Sequence, residues 1–289
     1  MHYEGLIIRP PSEAGSILLQ ATVGCSHNKC TFCGTYKGQR FKIKPIEVVL
    51  EDIAYASRHM RQQRRLFICD GDALIMPQER LRVILAAIRR ELPWVTRVGL
   101  YANAKSIGRK SPEDLAELRS LGLGIAYLGV ESGDPETLEA IRKGARAETL
   151  IRAGRRMREA GIKLSVTVLL GVAGRERAEA HARATGRLLS AMDPDYVGAL
   201  SLMLLPGTPL HTAHREGRFR LPDAGGLLRE LREMIAHTEL ADGLFHANHA
   251  SNHLPLRARL PRDKARTLAL LDEALAGRVA LKPEYMRAL

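Results

Sequence analysis

Aromatic residues are scarce in this chain: five Phe, seven Tyr and one Trp make up 4% of its 289 residues. So thin a supply leaves few platforms on which the bases of single-stranded nucleic acid can stack. No apolar run reaches the roughly 20 residues that a membrane-spanning helix needs. The longest uncharged stretch, Tyr196 to Ala213, is interrupted by Ser201, Pro206, Thr208, Pro209, His211 and Thr212. Met1 to Pro11 carries Glu4 and Arg9 and has no continuous apolar centre, so a cytoplasmic protein without a secretory leader or membrane partner is expected. Internal repeats, low-complexity tracts and long linkers are missing as well. Cysteine is limited to four residues, three of them within nine positions, which excludes the spread framework of a small disulfide-stapled domain.

What is present is an ordinary globular balance, 45% hydrophobic and 26% charged, long enough for one or two domains. The formal net charge is +12. Arginine is spread along the chain, as at Arg61, Arg64, Arg65, Arg152, Arg155, Arg156, Arg158, Arg175 and Arg177, and no basic tail stands out. Such a distribution suits a solvated helical exterior better than a concentrated nucleic-acid footprint, although nucleic acid stays open as a partner.

Short apolar runs alternate with longer amphipathic ones. Ile17–Val23, Leu66–Cys69, Val95–Ala102, Gly124–Val130, Ile162–Leu170 and Tyr196–Leu205 read as strands. Helices are expected over Pro45–Arg61, Gln78–Glu91, Pro112–Ser120, the stretch up to Ala160, and Glu176–Ala191. Ser111 is the expected N-cap before Pro112, and Gly161 the expected C-cap. Strands alternating with helices predict a parallel sheet, either open and doubly wound or a barrel. From about Leu210 onward the chain reads as helical, broken by a loop around Asn248 to Pro255.

In parallel α/β folds the chemistry lies at the C-terminal ends of the strands. The cysteines follow the first strand, Asp70-Gly71-Asp72 the second, Asn103 the third, Glu131-Ser132-Gly133 the fourth, Gly171 the fifth and Pro206-Gly207-Thr208 the sixth. The cysteine segment reads Gly24-Cys25-Ser26-His27-Asn28-Lys29-Cys30-Thr31-Phe32-Cys33-Gly34. A tetrahedral zinc site would need a fourth ligand, for which His27 and the more distant Cys69 are the candidates. Three thiolates on one tight loop suit instead an iron–sulfur cluster with one iron left unligated by protein, since such clusters normally take four cysteines.

On these residues the chain resembles the radical S-adenosylmethionine (radical SAM) superfamily, whose hallmark is C-x3-C-x2-C after the first strand of a partial TIM barrel. Here the first gap is one residue longer, C-x4-C-x2-C. Phe32 matches the family's aromatic near the adenine. Gly71-Asp72 is similar to its glycine motif for the methionine amino group, with Asp72 where glutamate is commoner. Glu131 and Ser132 resemble its ribose-contacting segment, and Lys143 stands where related enzymes place a basic residue for the methionine carboxylate. Leu170-Gly171-Val172-Ala173-Gly174 and Leu205-Pro206-Gly207-Thr208-Pro209 are similar to segments after strands five and six. The likeness runs from about Gly15 to Pro209 and is nearest to the branch of anaerobic coproporphyrinogen dehydrogenase and the Elongator catalytic subunit.

The resemblance implies an α/β fold, a partial (β/α)6 TIM barrel over residues 1–209, with a helical C-terminal extension over 210–289 closing the barrel mouth. It implies a [4Fe–4S] cluster held by Cys25, Cys30 and Cys33. It places S-adenosylmethionine against Phe32, Gly71, Asp72, Asn103, Glu131, Ser132, Lys143, Thr167 and Gly171. The expected reaction is reductive cleavage of S-adenosylmethionine to a 5′-deoxyadenosyl radical that abstracts a substrate hydrogen, with an electron donor such as flavodoxin or ferredoxin. No general acid or base is assigned, because the cofactor carries the difficult chemistry. The substrate is expected to be a small molecule, carboxylate-bearing or tetrapyrrole-like. RNA is the alternative substrate, and a non-catalytic zinc- or cluster-binding module is the alternative of another class. The acetyltransferase and cobalamin domains and the long C-terminal extension of such relatives are absent from the expectation. The polar segment Asn248, His249, Ser251 and Asn252 is expected to fold over the mouth and touch substrate, or else simply to pack against the C-terminal helices.

Overall fold

The computed structural model describes residues 1–288. Two compact units emerge: one comprises residues 1–28, 35–128 and 153–164, the other residues 29–34, 129–152 and 165–289. No helix among the described residues is long and apolar enough to cross a membrane.

In the first unit, β1 (Ile17–Gln20) and β2 (Thr22–Val23) divide the expected first strand at Ala21, and β2 pairs antiparallel with β3 (Lys42–Ile43). Helix α1 (Ile46–His59) and β4 (Arg65–Cys69) follow, then α2 (Gln78–Glu91), β5 (Arg97–Ala102), the short α3 (Ala104–Gly108), α4 (Pro112–Ser120) and β6 (Leu123–Glu131). β1, β4, β5 and β6 lie side by side in that order, all parallel. Their buried faces meet at Phe67, whose ring stands edge-on to Tyr101 at 5.0 Å and to Tyr127 at 5.6 Å. Leu81, Ile84, Leu85 and Ile88 recur at helical spacing along α2 and are all buried. Each contributes about 1.5–3 kcal/mol relative to exposure. Ser111 caps α4 as expected, its hydroxyl accepting from the Asp114 amide while the Asp114 carboxylate accepts from the Ser111 amide.

The last residues of β6 belong to the second unit, which continues with α5 (Pro135–Ala140) and the start of α6 (Ala147–Glu159). The single helix expected up to Ala160 is thus two helices, parted where Arg142 and Gly144 turn left-handed at φ 53° and 72°. Gly161 ends α6 at φ 72°, as its position predicts. The second unit also holds most of β7 (Lys163–Leu170), then α7 (Gly174–Met192), β8 (Tyr196–Ser201), α8 (Pro209–Arg215), α9 (Ala224–Ala236), β9 (Gly243–His246), β10 (Arg257–Leu260) and α10 (Lys264–Leu275). β7, β8 and β9 are parallel neighbours, and β10 pairs antiparallel with β9. Beyond residue 210 the chain therefore carries two strands besides its helices. At four residues each, they are too short for periodicity to reveal.

Candidate functional site

Most of the expected site residues sit in loops at the C-terminal ends of strands, Thr167 lying within β7 and Lys143 between α5 and α6, and each unit builds its share separately. In the first unit the chain leaves β4 through Asp70, Gly71 and Asp72. A Cβ on Gly71 would stand 3.0 Å from Cys25 Cβ and 3.0 Å from Tyr36 Cε2, so a side chain here would press on the cysteine loop. Asp72 is fully buried. Its Oδ2 accepts hydrogen bonds from the Ser26 hydroxyl at 2.5 Å and from Asn103 Nδ2 at 2.7 Å. Its Oδ1 is buried without a partner. Burial pushes the Asp72 carboxyl above the usual carboxylate range, against the bonds from Ser26, Ser106 and Asn103. Asn103 reaches Asp72 from the N-cap of α3, where its Oδ1 accepts from the Ser106 amide at 2.8 Å. Asp70, likewise buried, accepts from Gln20 Nε2 at 3.0 Å and from the Gly24 amide at 3.3 Å, tying the start of the cysteine loop to the end of β4.

The additional residue in the first cysteine gap has a structural answer. Asn28 takes the left-handed conformation at φ 44°, which asparagine tolerates better than most residues. Its Nδ2 donates to Tyr36 O at 2.7 Å. A side-chain clamp therefore holds the turn that the longer gap requires.

In the second unit, Thr31 lies between Cys30 and Cys33 and is fastened on both sides. Its amide donates to Ile141 O and its carbonyl accepts from the Leu210 amide, each at 3.0 Å. Phe32 packs against the buried cluster of Ile141, Leu169, Val172 and Leu202. Glu131 ends β6 at φ 63° and pairs with Lys143 Nζ at 2.9 Å, both side chains largely buried. A Cβ on Gly129 would stand 2.4 Å from Glu131 Oε1 and 2.9 Å from Lys143 Nζ, so only glycine leaves this ion pair undisturbed. Ser132 is fully buried, and its Oγ lies 2.7 Å from His181 Nδ1. Thr167 is half-buried on β7, opposite Gly198 of β8. The Gly171 amide donates to Glu230 Oε1 at 2.8 Å.

The C-terminal loop is anchored more firmly than its composition suggests. Asn252 is buried, donates to Ala199 O and Ala247 O at 2.8 Å each, and accepts from the Ser201 hydroxyl at 2.8 Å. Ser251 is buried, and its Oγ accepts from the Ser201 amide at 3.1 Å. Asn248 is exposed, and half-buried His249 is held below the usual imidazole range by burial and by Lys282. Asn252 and Ser251 thus fasten the loop to β8, while Asn248 and His249 are its more accessible members. Sequence reading missed His181 and Glu230. Their one signal is a polar residue on the apolar face of an amphipathic helix.

Cys25, Cys33 and Cys69 carry free thiols; Cys25, Cys30 and Cys33 are half-buried, and Cys69 is buried. Burial pushes the Cys69 thiol well above its ordinary range, which suits a core residue. Among the described residues no three Cys, His, Asp or Glu side chains are gathered for one metal ion. The donor chemistry of the loop still fits an iron–sulfur cluster. Cys25, Cys30 and Cys33 are each half-buried thiol-bearing residues, and within the first unit a strand end kept clear of side chain faces Cys25 at Gly71.

Residues 19–184 match the Radical SAM superfamily. A relative in Methanocaldococcus jannaschii, the uncharacterized protein MJ0486, is 24% identical over 228 residues, covering 74% of this chain and 69% of that protein. Coproporphyrinogen III oxidase (HemN) from Escherichia coli, a radical SAM enzyme, superimposes with TM-score 0.56 at 16% identity, over 76% of this chain and 51% of HemN. Elp3 from Methanocaldococcus infernus gives TM-score 0.51 at 16% identity, over 77% of this chain and 54% of Elp3. The chain thus spans about half the length of these two structures, and they share with it the α/β partial-barrel fold. The match over residues 19–184 covers more than half of the chain, which belongs to the radical SAM superfamily.

Proposed function

We propose that this enzyme uses Cys25, Cys30 and Cys33 to hold its [4Fe–4S] cluster and abstracts a hydrogen from a small molecule that is carboxylate-bearing or tetrapyrrole-like. The cofactors of the superfamily are the cluster and S-adenosylmethionine. When bound, they supply the electron and the deoxyadenosyl radical that the hydrogen abstraction requires.

The chain's own residues bind and orient. Gly71 keeps the end of β4 clear beside Cys25. Asp72, held by Ser26 and Asn103, keeps Oδ1 without a partner, a buried acceptor suited to the methionine amino group. The Glu131–Lys143 pair offers a carboxylate for ribose hydroxyls and an ammonium for the methionine carboxylate. Phe32, rooted in an apolar cluster, presents an aromatic surface to the adenine. Ser132, Thr167 and Gly171 are the remaining residues assigned to S-adenosylmethionine. The segment beyond residue 210 is assigned to the substrate, with Asn248 and His249 as its accessible members and Ser251 and Asn252 anchoring them. The observation that carries this reading is the side-chain-free strand end at Gly71 against Cys25.

A net charge of +12 supports an acidic substrate. The test is anaerobic reconstitution, followed by metal analysis and assay for 5′-deoxyadenosine with dithionite or a reduced flavodoxin or ferredoxin. About four irons per chain with reductant-dependent 5′-deoxyadenosine support it. One zinc and no cleavage would reject it. Tight, steeply salt-dependent tRNA binding would direct the substrate assignment to RNA.

A further inference from the structure

Two buried side chains remain unused by this reading. His181 of α7 and Glu230 of α9 are respectively 0% and 2% exposed. His181 Nε2 lies 3.2 Å from Glu230 Oε1. Glu230 is the one carboxylate on the apolar face formed by Leu227, Leu228, Leu231, Met234 and Ile235. A buried polar pair is a weak source of stability, because desolvation offsets most of the attraction and a well-packed apolar pair is often as good or better. This pair is also incompletely satisfied, since His181 Nε2 and Glu230 Oε2 are both buried with no hydrogen-bond partner. Its placement in the core therefore calls for a reason other than stability.

The hydrogen-bond directions supply one. The Asp134 amide donates to Ser132 Oγ at 3.0 Å, so the Ser132 proton is left for His181 Nδ1, 2.7 Å away. Nδ1 then accepts and the ring proton sits on Nε2, 3.2 Å from Glu230 Oε1 but outside hydrogen-bond geometry. Oε1 of Glu230 also accepts the Gly171 amide at 2.8 Å. Next to Ser132, the Gly133 amide donates to Thr185 Oγ1 at 2.8 Å, one turn along α7 from His181. Short contacts from Ser132 to His181 and from His181 to Glu230, with the Gly171 amide donating to Glu230, thus fasten the loop after β6 and the loop after β7 to the same pair of helices.

We propose that Glu230, acting through His181 and the Gly171 amide, is a positioning residue that sets both loops for S-adenosylmethionine. This rests on the cofactor assignment above, and it places a determinant of cofactor affinity in α9, beyond the matched segment. The experiment compares wild type, Glu230→Leu, Glu230→Gln and His181→Gln, each reconstituted with the cluster under anaerobic conditions. Iron content, melting temperature and the dissociation constant for S-adenosylmethionine are read for each, with amide hydrogen exchange on residues 129–135 and 170–175.

Leucine fills the volume and removes the acceptor. Glu230→Leu is expected to keep its iron and its melting temperature, to exchange faster in both segments, and to bind S-adenosylmethionine about tenfold or more weakly. Glutamine keeps an acceptor for Gly171, so Glu230→Gln should recover most of the affinity. Were Glu230→Leu not to fold, His181→Gln carries the same expectation through the loop after β6. Wild-type affinity in a folded Glu230→Leu, or in His181→Gln, overturns the positioning role and leaves the cofactor assignment intact. Failure of cluster-loaded wild type to bind S-adenosylmethionine overturns the cofactor assignment, and this role with it.

Discussion

Gly129→Ala separates the demands of stability from those of function. Gly129 and Glu131 are two residues apart on β6 and point to one face. The new methyl would stand 2.4 Å from Glu131 Oε1, whereas carbon and oxygen ordinarily approach to about 3.3–3.6 Å, so the carboxylate must retreat by roughly 1 Å. Both opposing atoms, Glu131 Oε1 and Lys143 Nζ, end flexible side chains, and the backbone need not move. Overpacking costs about 1–3 kcal/mol where neighbours cannot yield. Here they can, and the cost falls near 1 kcal/mol. Removing a strand glycine returns roughly 0.5–1 kcal/mol of chain entropy. The two nearly cancel, so the unfolding free energy from urea titration should stay within about 0.5 kcal/mol of wild type. Misplacing a substrate-orienting group by about 1 Å costs on the order of 100-fold in rate. Gly129→Ala should therefore lower 5′-deoxyadenosine formation about 100-fold while the iron content holds. Wild-type turnover, or a stability loss above about 3 kcal/mol, would refute the reasoning.

Cys30→Ala should abolish cluster assembly, read as loss of iron and of the charge-transfer absorption near the visible range; an intact cluster would remove Cys30 from the ligand set. Asn28→Ala deletes the clamp on Tyr36 O and places alanine at φ 44°, at a cost of about 1–2 kcal/mol in loop order. Its cluster should be lost to a chelator several-fold faster than that of wild type, and equal rates would count against the clamp. For Asp134, burial raises the carboxyl, but hydrogen bonds from Arg177 and Thr137 outweigh it and hold the group below the usual carboxylate range. A depressed folded pKa means the stabilisation is complete above the unfolded value of about 3.9 and fades as pH falls through the folded value. Arg177→Ala should accordingly move acid unfolding, followed by circular dichroism, to a higher pH. An unchanged acid limb would show that the pair contributes nothing.

The amino-acid order by itself determined the strands and helices of the segment up to about residue 192, because hydrophobic periodicity reports the face an element will bury. Gln78–Glu91 and Pro112–Ser120 form over the expected residues, and Ser111 caps where its neighbours predict. The cysteine spacing and the loops after successive strands were equally local, and they sufficed to indicate the superfamily. Tertiary structure alone decided the rest. Nothing near Asn28 announces that its side chain will hold the longer cysteine gap through Tyr36. Gly243–His246 and Arg257–Leu260 become strands only because β8 offers a free edge to β9 and β9 then offers one to β10. Ser132, His181 and Glu230 lie 49 residues apart at each step, 132 to 181 and 181 to 230, and become partners only when α7 and α9 pack. Pattern along a chain encodes which side of an element seeks the interior; which distant groups meet there depends on packing, and packing has no local signature.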